Sequence, residues 1–117
     1  MISNRAAKFL WDVQQATERV MRFTAGRSFA DYLADDMMSA AVERQFQIIG
    51  EALRGLKRVA PDLAKSIPEL PQIIGFRNVL VHDYENVDSQ RVWGTIQNDL
   101  PALQQIVADL LRKAPDP

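Results

Sequence analysis

Apolar residues recur at intervals of three and four along almost the whole chain, and nowhere do they alternate at a period of two. That periodicity belongs to amphipathic helices, not strands. Ala6, Phe9, Leu10, Val13, Ala16, Val20 and Phe23 form a first stripe, with Lys8, Asp12, Gln15, Arg19 and Arg22 on the other side. Ser3 or Asn4 is placed to cap this helix and Gly26 to end it. Ser28 is a candidate cap for a segment that starts at Phe29 and continues to Val59, with Asp35 or Asp36 as a second start. Two stripes run along that segment. One is Met38, Val42, Phe46, Ile49, Leu53, Leu56 and Ala60; the other is Met37, Ala41, Ile48, Ala52 and Val59. Together they make an apolar surface wider than a helix buried on one side requires. Two readings stay open: the helix is central to a bundle, or a second copy of the chain covers its other side in a two-fold homodimer.

Gly50 lies inside this helix, where glycine costs about 1 kcal/mol against alanine; a close helix crossing would account for it. Pro61, Pro68 and Pro71 bracket a connector with at most one turn at 62–65. A helix of about ten residues then fits between Leu70 and Tyr84, with Ile73, Ile74, Phe76, Val79 and Leu80 toward the core, and 83–86 reads as its end. Asp88 or Ser89 caps a last pattern of Val92, Trp93, Ile96, Leu100, Leu103, Val107 and Leu110. Pro101 should kink that helix or start a new one, with Asn98 or Asp99 offering a cap. The expectation is an all-α, up-down bundle of four to five helices in a single domain over 1–117, with 113–117 frayed.

Composition narrows the chemistry. The 117 residues are 47% hydrophobic and 25% charged, an ordinary globular balance that allows one small domain. No stretch of about 18 apolar residues exists, and Arg5, Lys8, Asp12 and Glu18 break up the N-terminus, so neither a membrane span nor a signal peptide is expected, and a cytoplasmic protein is. With no cysteine and one histidine, thiol chemistry, Cys-based zinc and a His-rich metal site within one chain are excluded. A carboxylate magnesium site at Asp35 and Asp36 is disfavoured, since adjacent helical residues do not face each other; no metal or cofactor is expected. A formal charge of −1 forbids a broad basic footprint but permits a local one. Arg54, Lys57 and Arg58 supply a local cluster, suited either to a helix C-terminus or to an RNA backbone.

The densest chemistry is in Gly75-Phe76-Arg77-Asn78-Val79-Leu80-Val81-His82-Asp83-Tyr84, which holds the only histidine. On a helix Asn78 and His82 share a face, and Arg77 lies one step round with a side chain long enough to reach the same place. Histidine is the proton-transfer group of neutral pH, and arginine brings a permanent charge and a planar fork for phosphate. Glu51 on the long helix is either a solvated side chain or a partner that holds Arg77 by an ion pair.

Arg77-Asn78-Val79-Leu80-Val81-His82 resembles the R-x4-H signature of the HEPN superfamily, and with Tyr84 the R-x4-H-x-Y form of HepT-like toxins. Ile48-Ile49-Gly50-Glu51-Ala52, Val92-Trp93 and Asn98-Asp99-Leu100-Pro101 also fit that subfamily, so the resemblance runs from about Asn4 to Leu111. It implies an all-helical homodimer and metal-independent endoribonuclease activity; the candidate residues for it are Arg77, His82 and Asn78 as catalytic groups, Glu51 in support, and Arg54, Lys57 and Arg58 for the RNA. It also implies a type VII-like toxin–antitoxin system, in which a minimal nucleotidyltransferase antitoxin of the MntA type neutralises the toxin by adding AMP to Tyr84. The alternative of a different class is a non-catalytic HEPN module that binds a nucleotide or a partner protein through the same residues.

Overall fold

A computed structural model describes residues 2–68, 70–82 and 87–113. Among them are seven helices: α1 (Asn4–Thr24), α2 (Phe29–Ala34), α3 (Asp36–Val59), α4 (Pro61–Ala64), α5 (Leu70–His82), α6 (Ser89–Asn98) and α7 (Leu100–Leu111). Five are long, and α2 and α4 are short pieces of six and four residues. The fold class is the expected all-α bundle. The count exceeds four to five because the second start at Asp35 splits off α2 and the one turn allowed at 62–65 forms as α4.

Polar side chains at the helix starts explain the boundaries. The Ser3 hydroxyl accepts from the Ala6 N–H at 3.1 Å. Gly26, at φ 71°, carries the chain out of α1 in a left-handed conformation that other residues rarely adopt. Ser28 and Asp31 cap α2 reciprocally, at 3.1 and 2.9 Å. The backbone N–H of Ser28, and then its hydroxyl, holds the Asp31 carboxyl below its ordinary range. Asp35 breaks the helix at an extended backbone and accepts from the Met38 N–H at 2.9 Å, so its carboxylate caps α3. Asp35→Ala is expected to cost about 1 kcal/mol, seen as a lower urea midpoint at unchanged slope. An unmoved midpoint would show that the cap adds nothing.

Packing places α3 at the centre. It lies against α1 on one side and α5 on the other, and α7 packs on α1. Leu10, Val13, Val42, Phe46, Ile49, Leu53, Leu56, Leu103 and Val107 are wholly buried. The first α3 stripe is thus interior as far as Leu56. The second is not uniform: Ala52 is buried, Ala41, Ile48 and Val59 are half-buried, and Met37 is 83% exposed. The helix is central, as one reading had it, and still leaves an apolar margin uncovered.

Trp93 stacks on Tyr32 and Phe29, at centroid distances of 5.5 and 6.3 Å, and so ties α6 to α2. Burial first, and the Glu43 carboxylate second, push the Tyr32 hydroxyl well above its usual value. Pro101 starts a new helix; Asn98 ends α6, and Asp99 occupies the cap position of α7 without a side-chain capping bond. The expected helix end at 83–86 and most of the expected frayed tail, residues 114–117, lie outside the described residues. Among the described residues no helix is long and apolar enough to cross a membrane.

Candidate active site

α5 carries the polar motif, and the spacing of its apolar residues fixes its orientation. Ile73, Phe76 and Leu80 recur at three and four and are buried, so they turn one side of α5 onto α3. The Phe76 ring meets Phe46 at 5.2 Å between centroids, tilted by 53°. Arg77, one residue after Phe76, is carried to the edge of this contact.

Gly50 is what lets Arg77 lie there. A Cβ at Gly50 would fall 2.2 Å from the Arg77 Cβ and 2.6 Å from its Cγ. The two helices approach so closely that the arginine stem occupies the space of the missing side chain. The close crossing expected from Gly50 is therefore the α3–α5 contact itself. The Arg77 side chain is only 14% exposed.

The guanidinium is held from two sides. Its Nη2 lies 3.6 Å from Glu51 Oε1, the ion pair anticipated between them, and its Nη1 donates to Asn78 Oδ1 at 3.1 Å. Its Nε is buried without a hydrogen-bond partner among the described residues. Buried polar groups normally find partners.

His82 is exposed at the last position of α5. Residues five apart on a helix are separated by about 140° of rotation and about 7.5 Å of rise. Among the described residues no hydrogen bond joins Arg77 to His82. The structure brings Arg77, Asn78 and Glu51 together: Arg77 is held toward α3 by Gly50 and Glu51, while Asn78 and His82 are exposed.

Glu51, Arg54 and Arg58 recur at three and four along α3, and Arg54, Lys57 and Arg58 line an open groove of about 450 Å³ with Ile74 of α5. Ile74 is one turn before Asn78, so the basic groove starts beside the Arg77 seat. Asp35 is spent on its cap. Tyr84 lies outside the described residues. The sequence reading missed a second recess, between α5 and α6, lined among others by Gln72, Phe76, Arg91, Asn98 and Asp99. Its walls come from two separate segments, 72–76 and 91–99, and no local spacing announces such a site.

The family model described as "Ribonuclease HepT-like" matches residues 13–110, from the middle of α1 to near the end of α7. A protein of Thermococcus cleftensis named "Probable ribonuclease HepT" is 35% identical over 98 residues, covering 82% of this chain and 86% of its own. A candidate RNase of Caldanaerobacter subterraneus is 30% identical over 105 residues, covering 90% of this chain and 93% of its own. One from Methanocaldococcus jannaschii is 30% identical over 109 residues, covering 91% and 97%. No solved structure matches the chain significantly. With the match spanning α3, α5 and the whole Arg77–His82 motif, the chain belongs to the HepT-like ribonuclease family.

Proposed function

We propose that this protein is a metal-independent endoribonuclease whose catalytic centre is completed by a second copy of the chain. One observation carries the reading: Arg77 is pre-seated against Gly50, with a buried Nε that has no partner among the described residues, on the same helix as an exposed His82. The names of the relatives, which denote ribonucleases, agree with it.

The reaction uses the RNA's own 2′-hydroxyl as nucleophile. One imidazole accepts the 2′-hydroxyl proton as the 2′ oxygen bonds to phosphorus. The bond from phosphorus to the 5′ oxygen breaks, and a second, protonated imidazole gives its proton to that oxygen. The products are a cyclic 2′,3′-phosphate and a 5′-hydroxyl. Arg77 balances the charge that builds on the phosphoryl oxygens, Asn78 orients the phosphate or the histidine, and Glu51 keeps the guanidinium in place. Arg54, Lys57 and Arg58 hold the RNA backbone on approach.

One chain has one histidine, so two imidazoles around one cleft require two chains. The outward side of α5 supports this assembly. Val81 is 40% exposed and Ile74 only partly covered, although the opposite side of the helix is already buried. A helix apolar all round is a helix covered on more than one side, and a two-fold axis through these residues would bring both His82 side chains together.

Subunit mixing tests the composite site. After exchange of wild type with an equal amount of His82→Ala protein, about a quarter of the dimers carry both histidines. Cleavage per total chain should fall to about a quarter of the wild-type value if both are needed, whereas independent sites give about half. A value of one half would overturn the two-histidine centre.

Regulation follows from Tyr84, two residues beyond His82. A minimal nucleotidyltransferase antitoxin would transfer AMP to its phenolic oxygen. The added phosphate would compete for Arg77 and obstruct RNA, making the protein the toxin of a type VII-like pair. Mass spectrometry of the neutralised complex should find AMP on Tyr84; neutralisation with an unmodified tyrosine refutes this mode of control.

A further inference from the structure

Beside the Arg77 seat, α5 and α6 enclose a recess of about 380 Å³, within the size range of small-ligand sites. Phe76 forms part of its wall, and the Arg91 guanidinium stands over the Phe76 ring at 5.8 Å from the centroid. Gln72, Thr95, Asn98 and Asp99 line the rest. The recess thus offers the exposed Arg91 guanidinium as its flat face, over a Phe76 ring that is itself almost wholly buried, and is edged with amides and one carboxylate.

Asp99 is the informative member. Ser3, Ser28, Asp35 and Asp88 all spend their side chains on capping the helices they precede. Asp99 occupies the same position before α7, but its backbone is helical and its carboxylate makes no capping bond. Among the described residues it is in no ion pair with Arg91, although both line one recess. A carboxylate beside an RNA path repels phosphate, so a ligand that gains from it must present N–H groups.

We infer that this recess takes an unpaired guanine base next to the cleaved phosphate. The inference rests on the ribonuclease reading above and adds its base preference. Guanine alone among the four bases offers adjacent N1–H and N2–H donors to one carboxylate, while its O6 accepts from an amide N–H of Asn98 or Gln72. Unpaired bases are recognised by this combination of stacking and edge hydrogen bonds. Phe76 and Arg77 are consecutive, with Cα atoms about 3.8 Å apart, so base and phosphate of neighbouring nucleotides fall within reach of one turn of α5.

The test uses the full chain and end-labelled, unstructured RNA containing all four bases equally. Wild-type protein should cut mainly beside guanine. Asp99→Asn and Asn98→Ala should each lower cutting at those positions by about tenfold, toward the level of the other bases. Circular dichroism melting checks that each variant folds, and Asp99→Asn removes no helix cap. Cutting without guanine preference, or an Asp99→Asn pattern identical to wild type, overturns the inference. If wild-type protein cuts no RNA, the nuclease reading has failed, and equilibrium dialysis of His82→Ala protein decides the recess separately. Retention of GMP over AMP, CMP and UMP, lost in the His82→Ala, Asp99→Asn double variant, upholds it as a site for free guanine nucleotide. Equal or absent retention of the four overturns it.

Discussion

His82→Ala should lower the rate of RNA cleavage by about a thousandfold, within the range by which positioned acids and bases accelerate proton transfer, and leave the fold unchanged. The structural half of this expectation follows from position. His82 is exposed at the end of α5, so truncation opens no cavity. Surface changes away from caps, cores and buried networks stay within about 0.5 kcal/mol. The chemical half follows from composition. No other histidine and no cysteine exists in the chain, so no neighbouring group of similar proton affinity can take over. Single-turnover cleavage of labelled RNA, beside a thermal melt, reads both halves. Wild-type cleavage by the purified variant would remove His82 from the reaction. Loss of cleavage together with collapse of the melt would assign it a structural role instead.

Glu51→Gln separates positioning from catalysis. The 3.6 Å contact with Arg77 is half-exposed on the glutamate side, and an ion pair of that kind contributes at most about 1 kcal/mol. Cleavage should therefore drop by no more than about fivefold, with the fold intact. A loss as large as that of His82→Ala would mean that Glu51 itself takes part in proton transfer.

What could be read from the residues alone divides along the range of the interactions. Caps are local, and Ser3, Ser28, Asp35 and Asp88 each accept from a backbone N–H two or three positions away; spacing along the chain therefore reveals them. Interior faces are nearly as legible, because burial of Val42, Phe46, Ile49 and Leu53 follows from their period. Asp99 escapes the same logic. It has the right identity and place for a cap, but its helical φ and ψ are imposed by α6 running almost directly into α7. The seat of Arg77 was legible only as far as the helix that carries it. Which way a long side chain leans depends on the neighbouring helix, and here the pull comes from Gly50 and Glu51, more than 25 residues away in sequence. The recess between α5 and α6 was least legible, since two segments distant in sequence form it and its polar residues read along the chain only as surface or cap positions.

Gly50→Ala should damage both stability and cleavage, against the direction that helix propensity alone would give. In an open helix the change would gain about 1 kcal/mol. Here the new Cβ meets the Arg77 Cβ at 2.2 Å and Cγ at 2.6 Å. The Cβ is fixed to the α5 backbone and cannot swing aside as the end of a long side chain would. Either α5 moves away from α3 or its backbone shifts locally, and overpacking of this kind costs about 1–3 kcal/mol. With both contacts this short the clash outweighs the propensity gain, leaving a net loss of up to about 2 kcal/mol. A displacement of about 1 Å at the seat of Arg77 is enough to slow cleavage by up to a hundredfold. A double-mutant cycle isolates the cause. In an Arg77→Gly background both clashing atoms are gone, and the nearest remaining neighbour, the Ile73 carbonyl, sits at an ordinary 3.5 Å. There Gly50→Ala should stabilise the fold, so the two changes should be strongly non-additive. Equal destabilisation in both backgrounds would show that Gly50 is required for some reason other than making room for the arginine, and the seat on which the catalytic reading depends would lose its physical basis.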